Sequence, residues 1–70
     1  MIDRNLLRAK MLEKRVSADE MAKILGINVA TFYRKVRADS FTIKQADTIK
    51  QTLSLSAKDA NAIFFATQGA

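Results

Sequence analysis

Residues 28–37, NVATFYRKVR, place two arginines, a lysine and a tyrosine within ten positions. If the segment is helical, Phe32 and Val36 share one face because they lie four residues apart, and we take that face as the buried one. A helix turns by about 100° per residue. The opposite face then carries Ala30, Arg34 and Arg37, with Thr31 and Tyr33 at its edges.

The exposed side of this helix has the chemistry for contacts with double-stranded DNA. The guanidinium group of arginine can bind two acceptors of one guanine. Arg34 lies in the middle of the face and is our first choice for reading a base. Arg37, near the helix end, is expected at a phosphate. Tyr33 can present its hydroxyl to a phosphate or its ring to a thymine methyl group.

The other polar side chains do not predict catalysis. The chain has no histidine and no cysteine, which removes the usual proton shuttle, disulfides and zinc fingers. Asp19 and Glu20 fall in the first turn of a predicted helix, where the helix dipole accounts for them. Gly26 and Gly69 stand too far apart to form a phosphate-binding loop. We therefore expect no enzymatic activity, no cofactor, no metal site and no small-molecule substrate.

The stretch 17–37 supplies the elements that would position this face. Ser17 and Glu20 have the spacing of a capping box, which predicts a helix from about residue 18. Gly26 is expected to end that helix in the left-handed conformation, and Asn28 to cap the next one. Two short helices joined by a tight glycine turn are typical of a helix-turn-helix. A helical hairpin without a function is the alternative.

The same stretch resembles the helix-turn-helix of the lambda-repressor and Cro family of phage regulators. The places where the family's pattern asks for a small residue, a glycine and three apolar residues are filled by Ala22, Gly26, Leu25, Ile27 and Phe32. The stretch departs from the pattern at Ala18, where the family often has a glutamine that contacts the DNA backbone. It departs again at Lys35, where an apolar residue is usual. Lys35 is expected either to loosen the helix end or to meet a phosphate.

The resemblance also implies which residues contact DNA. In the family the first residues of the second helix reach the bases, and their counterparts are Val29, Ala30, Tyr33 and Arg34. The helical wheel instead turns Val29 towards the core, so its orientation stays open. The family touches phosphates just after this helix, at Ser40, Thr42 and Lys44, although Thr42 is better explained as a helix cap. The full set expected at DNA is Asn28, Val29, Ala30, Thr31, Tyr33, Arg34 and Arg37, with Lys35, Ser40 and Lys44 at phosphates.

Outside the motif the sequence predicts three more helices. Residues 2–15 contain strong helix formers, with Leu7 and Met11 on one face. A separate stripe, which we interpret as a solvated face rather than a DNA contact, carries Arg4, Arg8 and Arg15. A second capping box predicts a helix through about residue 53, with an inner face of Ile43, Ala46, Ile49 and Leu53. The last helix begins at Ser56, and its shared face is Ala57, Ala60, Ile63 and Phe64.

Five helices joined by short loops make an all-α fold in one domain of residues 1–70, with residues 67–70 fraying. The absence of proline and the presence of only two glycines favour this fold class. The resemblance implies that it is the compact five-helix lambda-repressor-like DNA-binding domain. The net charge of +5 is the electrostatic footprint of a polyanion binder. No apolar run reaches the roughly 20 residues of a membrane span and no signal peptide is visible, so we expect a cytoplasmic protein.

The favoured function is a sequence-specific, double-stranded DNA-binding transcription regulator of Cro or repressor type. It would place the helix 28–37 in the major groove of an operator. The alternative is a protein-interaction or antitoxin-like helical module that does not read DNA. An RNA binder is disfavoured because the chain lacks aromatic stacking platforms on a sheet.

A single helix of this size covers only a few base pairs, so we expect a homodimer on two half-sites, formed in solution or only on DNA. Phe65 lies about 100° beyond Phe64 on the last helix and is the candidate dimer contact. The competing interpretation is an isolated exposed phenylalanine, which is common on protein surfaces.

Overall fold

A computed structural model describes residues 2–65, and within that range the chain forms five α-helices and no strand. The helices are α1 (Arg4–Glu13), α2 (Ala18–Leu25), α3 (Val29–Ala38), α4 (Ile43–Thr52) and α5 (Ala57–Phe64). The predicted all-α class is confirmed. The expected fraying of residues 67–70 lies outside the described range. Within residues 2–65, no helix combines the length and the apolar character needed to cross a bilayer.

Each helix begins at a side-chain cap that the local sequence supplies. Ser17 and Glu20 exchange the two hydrogen bonds of a capping box, and Thr42 and Gln45 do the same for α4. The bond from the Ser17 backbone N–H to the carboxylate keeps the pKa of Glu20 below its ordinary value. The first helix is shorter than the predicted 2–15, because Asp3 caps its start and accepts from Leu6 N–H at 3.0 Å.

Four helices end in a shared way, with a left-handed residue just past the last turn. These residues are Arg15, Gly26, Asp39 and Ser54, with φ between 51° and 75°. In each case the next residue's N–H bonds back to a carbonyl five residues earlier, as Ile27 does to Ala22 at 3.0 Å. This long backbone bond is characteristic of the Schellman motif. Arg15 thus belongs to a turn and not to the α1 stripe.

The hydrophobic core draws on all five helices, on the residue before α1 and on the connection between α4 and α5. Its buried members are Ile2, Leu7, Met11, Met21, Ala22, Phe32, Ile49, Leu53, Leu55, Ala60 and Ile63. Two predicted core positions are wrong: Ile43 is 91% exposed, and Ala57 is exposed as well. Each lies six residues before a fully buried isoleucine, which at about 100° per residue puts it about 120° away from the inner face.

The first and last helices are joined by two contacts that stabilise their packing. Asp3 N–H donates to the carbonyl oxygen of Ile63 at 2.8 Å. Lys10 Nζ lies 3.0 Å from Asp59 Oδ2, and its hydrogen bond with this carboxylate raises the pKa of Lys10. Asp59 therefore pairs across helices, and its backbone N–H is capped by Ser56 Oγ at 3.0 Å.

Candidate nucleic-acid interface

The candidate interface is built on α2, α3 and the turn between them. Met21 and Ala22 of α2 are buried in the core. Gly26 adopts φ 75° and ψ 27°, so the chain reverses there in the left-handed region that glycine adopts at little cost. Asn28 Oδ1 then accepts from Thr31 N–H at 2.8 Å and starts α3. The predicted glycine turn and the predicted asparagine cap are both confirmed.

One face of α3 is fixed to the protein by a phenylalanine. Phe32 is 2% exposed, and its ring lies 5.9 Å from the Tyr33 ring and 5.7 Å from the Phe41 ring, measured between centroids. Val29 and Val36 are half-buried and pack against the core. The open question about Val29 is thus answered in favour of the helical wheel, although part of its surface remains accessible. This packing sets which side of α3 faces outward.

The outward side of α3 carries the residues predicted for base contacts. Ala30, Arg34 and Arg37 are exposed, Tyr33 is 51% exposed, and Thr31 is half-buried at the edge. No acidic residue lies between Val29 and Ala38. The small side chain of Ala30 beside Arg34 leaves room for another surface to approach the helix backbone closely.

Of the residues predicted for phosphate contacts, Lys35 lies in the last turn of α3, and Ser40 and Lys44 follow the helix. Lys35 is half-buried, and its Nζ donates to the carbonyl oxygen of Ser40 at 3.3 Å. This bond keeps the ammonium beside the C-terminal end of α3, where the helix dipole favours a cation. Ser40 and Lys44 are exposed. Thr42 is engaged in its capping box, as the cap interpretation required.

Charge is distributed unevenly along the helices. The first turns of α2 and α5 contain acidic residues, whereas those of α3 and α4 contain none. Lys44 even occupies the first turn of α4, where a cation is disfavoured by the helix dipole. Residues 28–44 hold four basic side chains and one acidic one, which gives +3 of the chain's net +5. Residues 1–15 hold five basic and two acidic side chains and also sum to +3, whereas the rest of the chain sums to −1. The positive charge is therefore carried by these two segments.

Two further basic residues lie next to the outward side of α3, and the sequence interpretation had assigned them to a solvated face. Arg4 and Arg8 of α1 line a groove whose other wall includes Tyr33 and Arg37 of α3. Both arginines are exposed, as the solvated-face interpretation expected. Their spacing of four residues placed them on one stripe, but the local sequence does not show which helix packs beside α1, so their position on the groove wall could not be predicted.

The candidate dimer contact, Phe65, follows α5 and belongs to none of the helices that form this surface. Phe65 is the C-cap residue of α5 and is 68% exposed, whereas the neighbouring Phe64 is half-buried. The predicted difference between the two phenylalanines is therefore confirmed.

Comparisons of the chain with protein-family models, with curated protein sequences and with solved structures found no match.

Proposed function

We propose that the protein is a sequence-specific, double-stranded DNA-binding regulator that uses α2 and α3 as a helix-turn-helix in a lambda-repressor-like arrangement. The observation that supports the proposal is the outward face of α3, which presents Ala30, Arg34 and Arg37 without an acidic neighbour on the helix. A helix of about 10–12 Å diameter fits the major groove of B-DNA. The proposed activity is occupancy of an operator and involves no catalysis.

In this proposal the polar side chains of α3 and its neighbours divide the base and phosphate contacts among them. Arg34 reads a guanine through two hydrogen bonds, and Tyr33 reaches a thymine methyl group or a phosphate. Arg37, Lys44 and the amide group of Asn28 contact phosphates at the two ends of α3. Lys35 either contacts a phosphate or holds Ser40 in place, because its Nζ donates to the Ser40 carbonyl oxygen.

Selection of bound duplexes from a random DNA pool tests the proposal. The expected result is a defined site, with an affinity that falls steeply as salt rises. Release of counterions from the two or three phosphates that Arg37, Lys44 and Lys35 neutralise gives a slope of about −1.8 to −2.7 per bound chain in log K against log salt. A flat salt response, or no enrichment of any sequence over bulk DNA, would contradict the proposed function.

Two copies are expected to act together, because one α3 helix covers too few base pairs for a rare site. We propose Phe65 as a contact across the two-fold axis of this homodimer, supported by its exposure at the end of α5. A closed dimer places two equivalent helices on one side of the duplex. The recovered sites are then inverted repeats, with half-site centres about one helical turn apart.

A further inference from the structure

A groove runs between α1 and α3, and we call it the α1–α3 groove. One wall carries Arg4, Arg8 and Leu12, and the other carries Tyr33, Val36 and Arg37. Its volume is about 470 Å³, within the range of ligand-binding clefts.

The floor of the groove is apolar. Leu7, Met11 and Phe32 form its base and belong to the hydrophobic core. Leu12, beside them, is 77% exposed, and Tyr33 on the opposite wall is 51% exposed. An exposed leucine facing an exposed tyrosine across a groove gives a second molecule apolar surface to cover.

The rim of the groove is basic. Three arginines line it, and no acidic residue does. None of the three guanidinium groups forms a salt bridge with another described residue, whereas Lys10, on the far side of α1, is paired with Asp59. Arg4, Arg8 and Leu12 follow one another at four-residue intervals, so they form a single stripe along α1. The stripe presents two positive charges and then an apolar group, about one helical turn apart.

We propose that the α1–α3 groove binds an acidic amphipathic helix of another protein. Its apolar face covers Leu12, Val36 and the floor, and carboxylates one turn apart meet Arg4 and Arg8. Helix α1 has ten residues and is therefore about 15 Å long, so a partner of about three turns matches the wall. Recognition of an amphipathic helix in an apolar groove is a recurrent binding mode. Bare phosphate groups would use the arginines but leave the apolar floor uncovered.

The occupied groove also regulates the α3 surface, a consequence that rests on the proposed DNA-binding function. Tyr33 and Arg37 belong both to the groove wall and to the outward side of α3. A helix seated in the groove covers these side chains and brings carboxylates next to the path of the DNA phosphates. Binding of the acidic helix and binding of the operator are therefore mutually exclusive.

The test uses two fluorescein-labelled synthetic peptides of 14 residues, a length of about four turns. One combines a leucine face with a glutamate face, and its counterpart has lysine for every glutamate. Fluorescence anisotropy with the full chain is expected to detect saturable binding of the glutamate peptide only. Arg4→Glu combined with Arg8→Glu is expected to weaken it at least tenfold. The matched control, Lys23→Glu with Lys58→Glu, removes the same charge from exposed positions outside the groove and is expected to change binding less than threefold.

Thermal melts check that both double variants are folded, and chemical-shift mapping of backbone amides adds a readout that does not depend on affinity. Shifts on adding the glutamate peptide are expected at Leu12 and Tyr33. The proposal is overturned if the glutamate peptide does not bind, if both double variants weaken it equally, or if the shifts lie elsewhere. It is also overturned if Arg4→Glu with Arg8→Glu affects only duplex DNA, since the arginines are then phosphate contacts. The peptide-binding measurements contain no DNA, so they test the groove even if the chain binds no operator.

Discussion

The left-handed residue that follows α2 makes a sharp prediction about stability, since Gly26 and Ser54 have the same backbone conformation but different side chains. Gly26 has φ 75° and Ser54 has φ 51°. A Cβ atom built on Gly26 meets nothing within 4 Å. The cost of Gly26→Ala is therefore the backbone cost alone, about 1–2 kcal/mol for an L-residue in this region. Conversely, Ser54→Gly removes a cost of about 1–2 kcal/mol and adds an entropic cost of about 0.5–1 kcal/mol for the more flexible glycine. The net stabilisation is therefore expected to be about 0.5–1 kcal/mol.

Urea denaturation followed by circular dichroism measures both changes in the free energy of unfolding. For a domain of this size, 1 kcal/mol corresponds to about 4–8 °C in melting temperature, so thermal melts give an independent estimate. If the slope of the unfolding free energy against urea concentration is unchanged, the substitution has not altered the denatured state. Ala9→Gly, at an exposed position inside α1, is the control and is expected to destabilise by about 1 kcal/mol.

The opposite signs of the two glycine changes are what the reasoning requires. If Gly26→Ala leaves the urea midpoint unchanged, the turn after α2 does not need the left-handed conformation. If Ser54→Gly destabilises as Ala9→Gly does, glycine acts through the flexibility of the unfolded chain instead. Either result would refute the assignment of these helix ends.

Three further predictions concern binding, assembly and pH. Arg34→Ala is expected to cost about 1–3 kcal/mol of DNA-binding free energy and to remove the preference for one base at one position of the site. Lys44→Ala is expected to weaken binding to all single-base variants of the selected site equally. If Arg34→Ala also weakens binding to all variants equally, Arg34 is a phosphate contact. Phe65→Asp is expected to abolish two-copy binding to an inverted repeat in sedimentation, and unchanged assembly excludes this interface. The pKa of Glu20 is lowered in the folded state, so its stabilisation is present above the unfolded pKa of about 4.3 and is lost as pH falls through the folded value. The stability difference between wild type and Glu20→Gln in urea melts is therefore expected to favour wild type less at pH 3 than at pH 7, and a larger advantage at pH 3 contradicts the assignment.

Features that depend on a few neighbouring residues could be predicted from the sequence. The capping boxes at Ser17 and Thr42, the asparagine cap and the left-handed Gly26 are each decided within four residues. The helix interiors follow because strong helix formers and the absence of proline leave no competing structure. The outward orientation of Arg34 followed as well, because the burial of Phe32 fixes the rotation of α3.

Features that depend on packing between helices could not be predicted in the same way. Three left-handed residues other than glycine, Arg15, Asp39 and Ser54, end helices without the usual sequence signal. Asp59 has the spacing of a capping box, but its carboxylate pairs with Lys10 of another helix. Ile43 is apolar at the start of a helix and still exposed, because α4 turns its later residues to the core. For Asp59 the deciding partner, Lys10, lies far away in the sequence.

The packing of α3 lets one small domain present both of the proposed binding surfaces. Phe32 is buried in the core and fixes the rotation of α3 about its axis, so the orientation of both flanks of the helix is set together. One flank runs through Lys35 to Ser40 and Lys44, and the other through Tyr33 and Arg37 to the α1–α3 groove. Arg34 lies between them and has no other packing role, whereas Tyr33 and Arg37 are shared. A partner in the groove covers Tyr33 and Arg37 and, under the proposed function, competes with DNA for α3. Because a competitor excludes every duplex alike, it lowers the apparent affinity for all DNA sequences without changing which sequence is preferred.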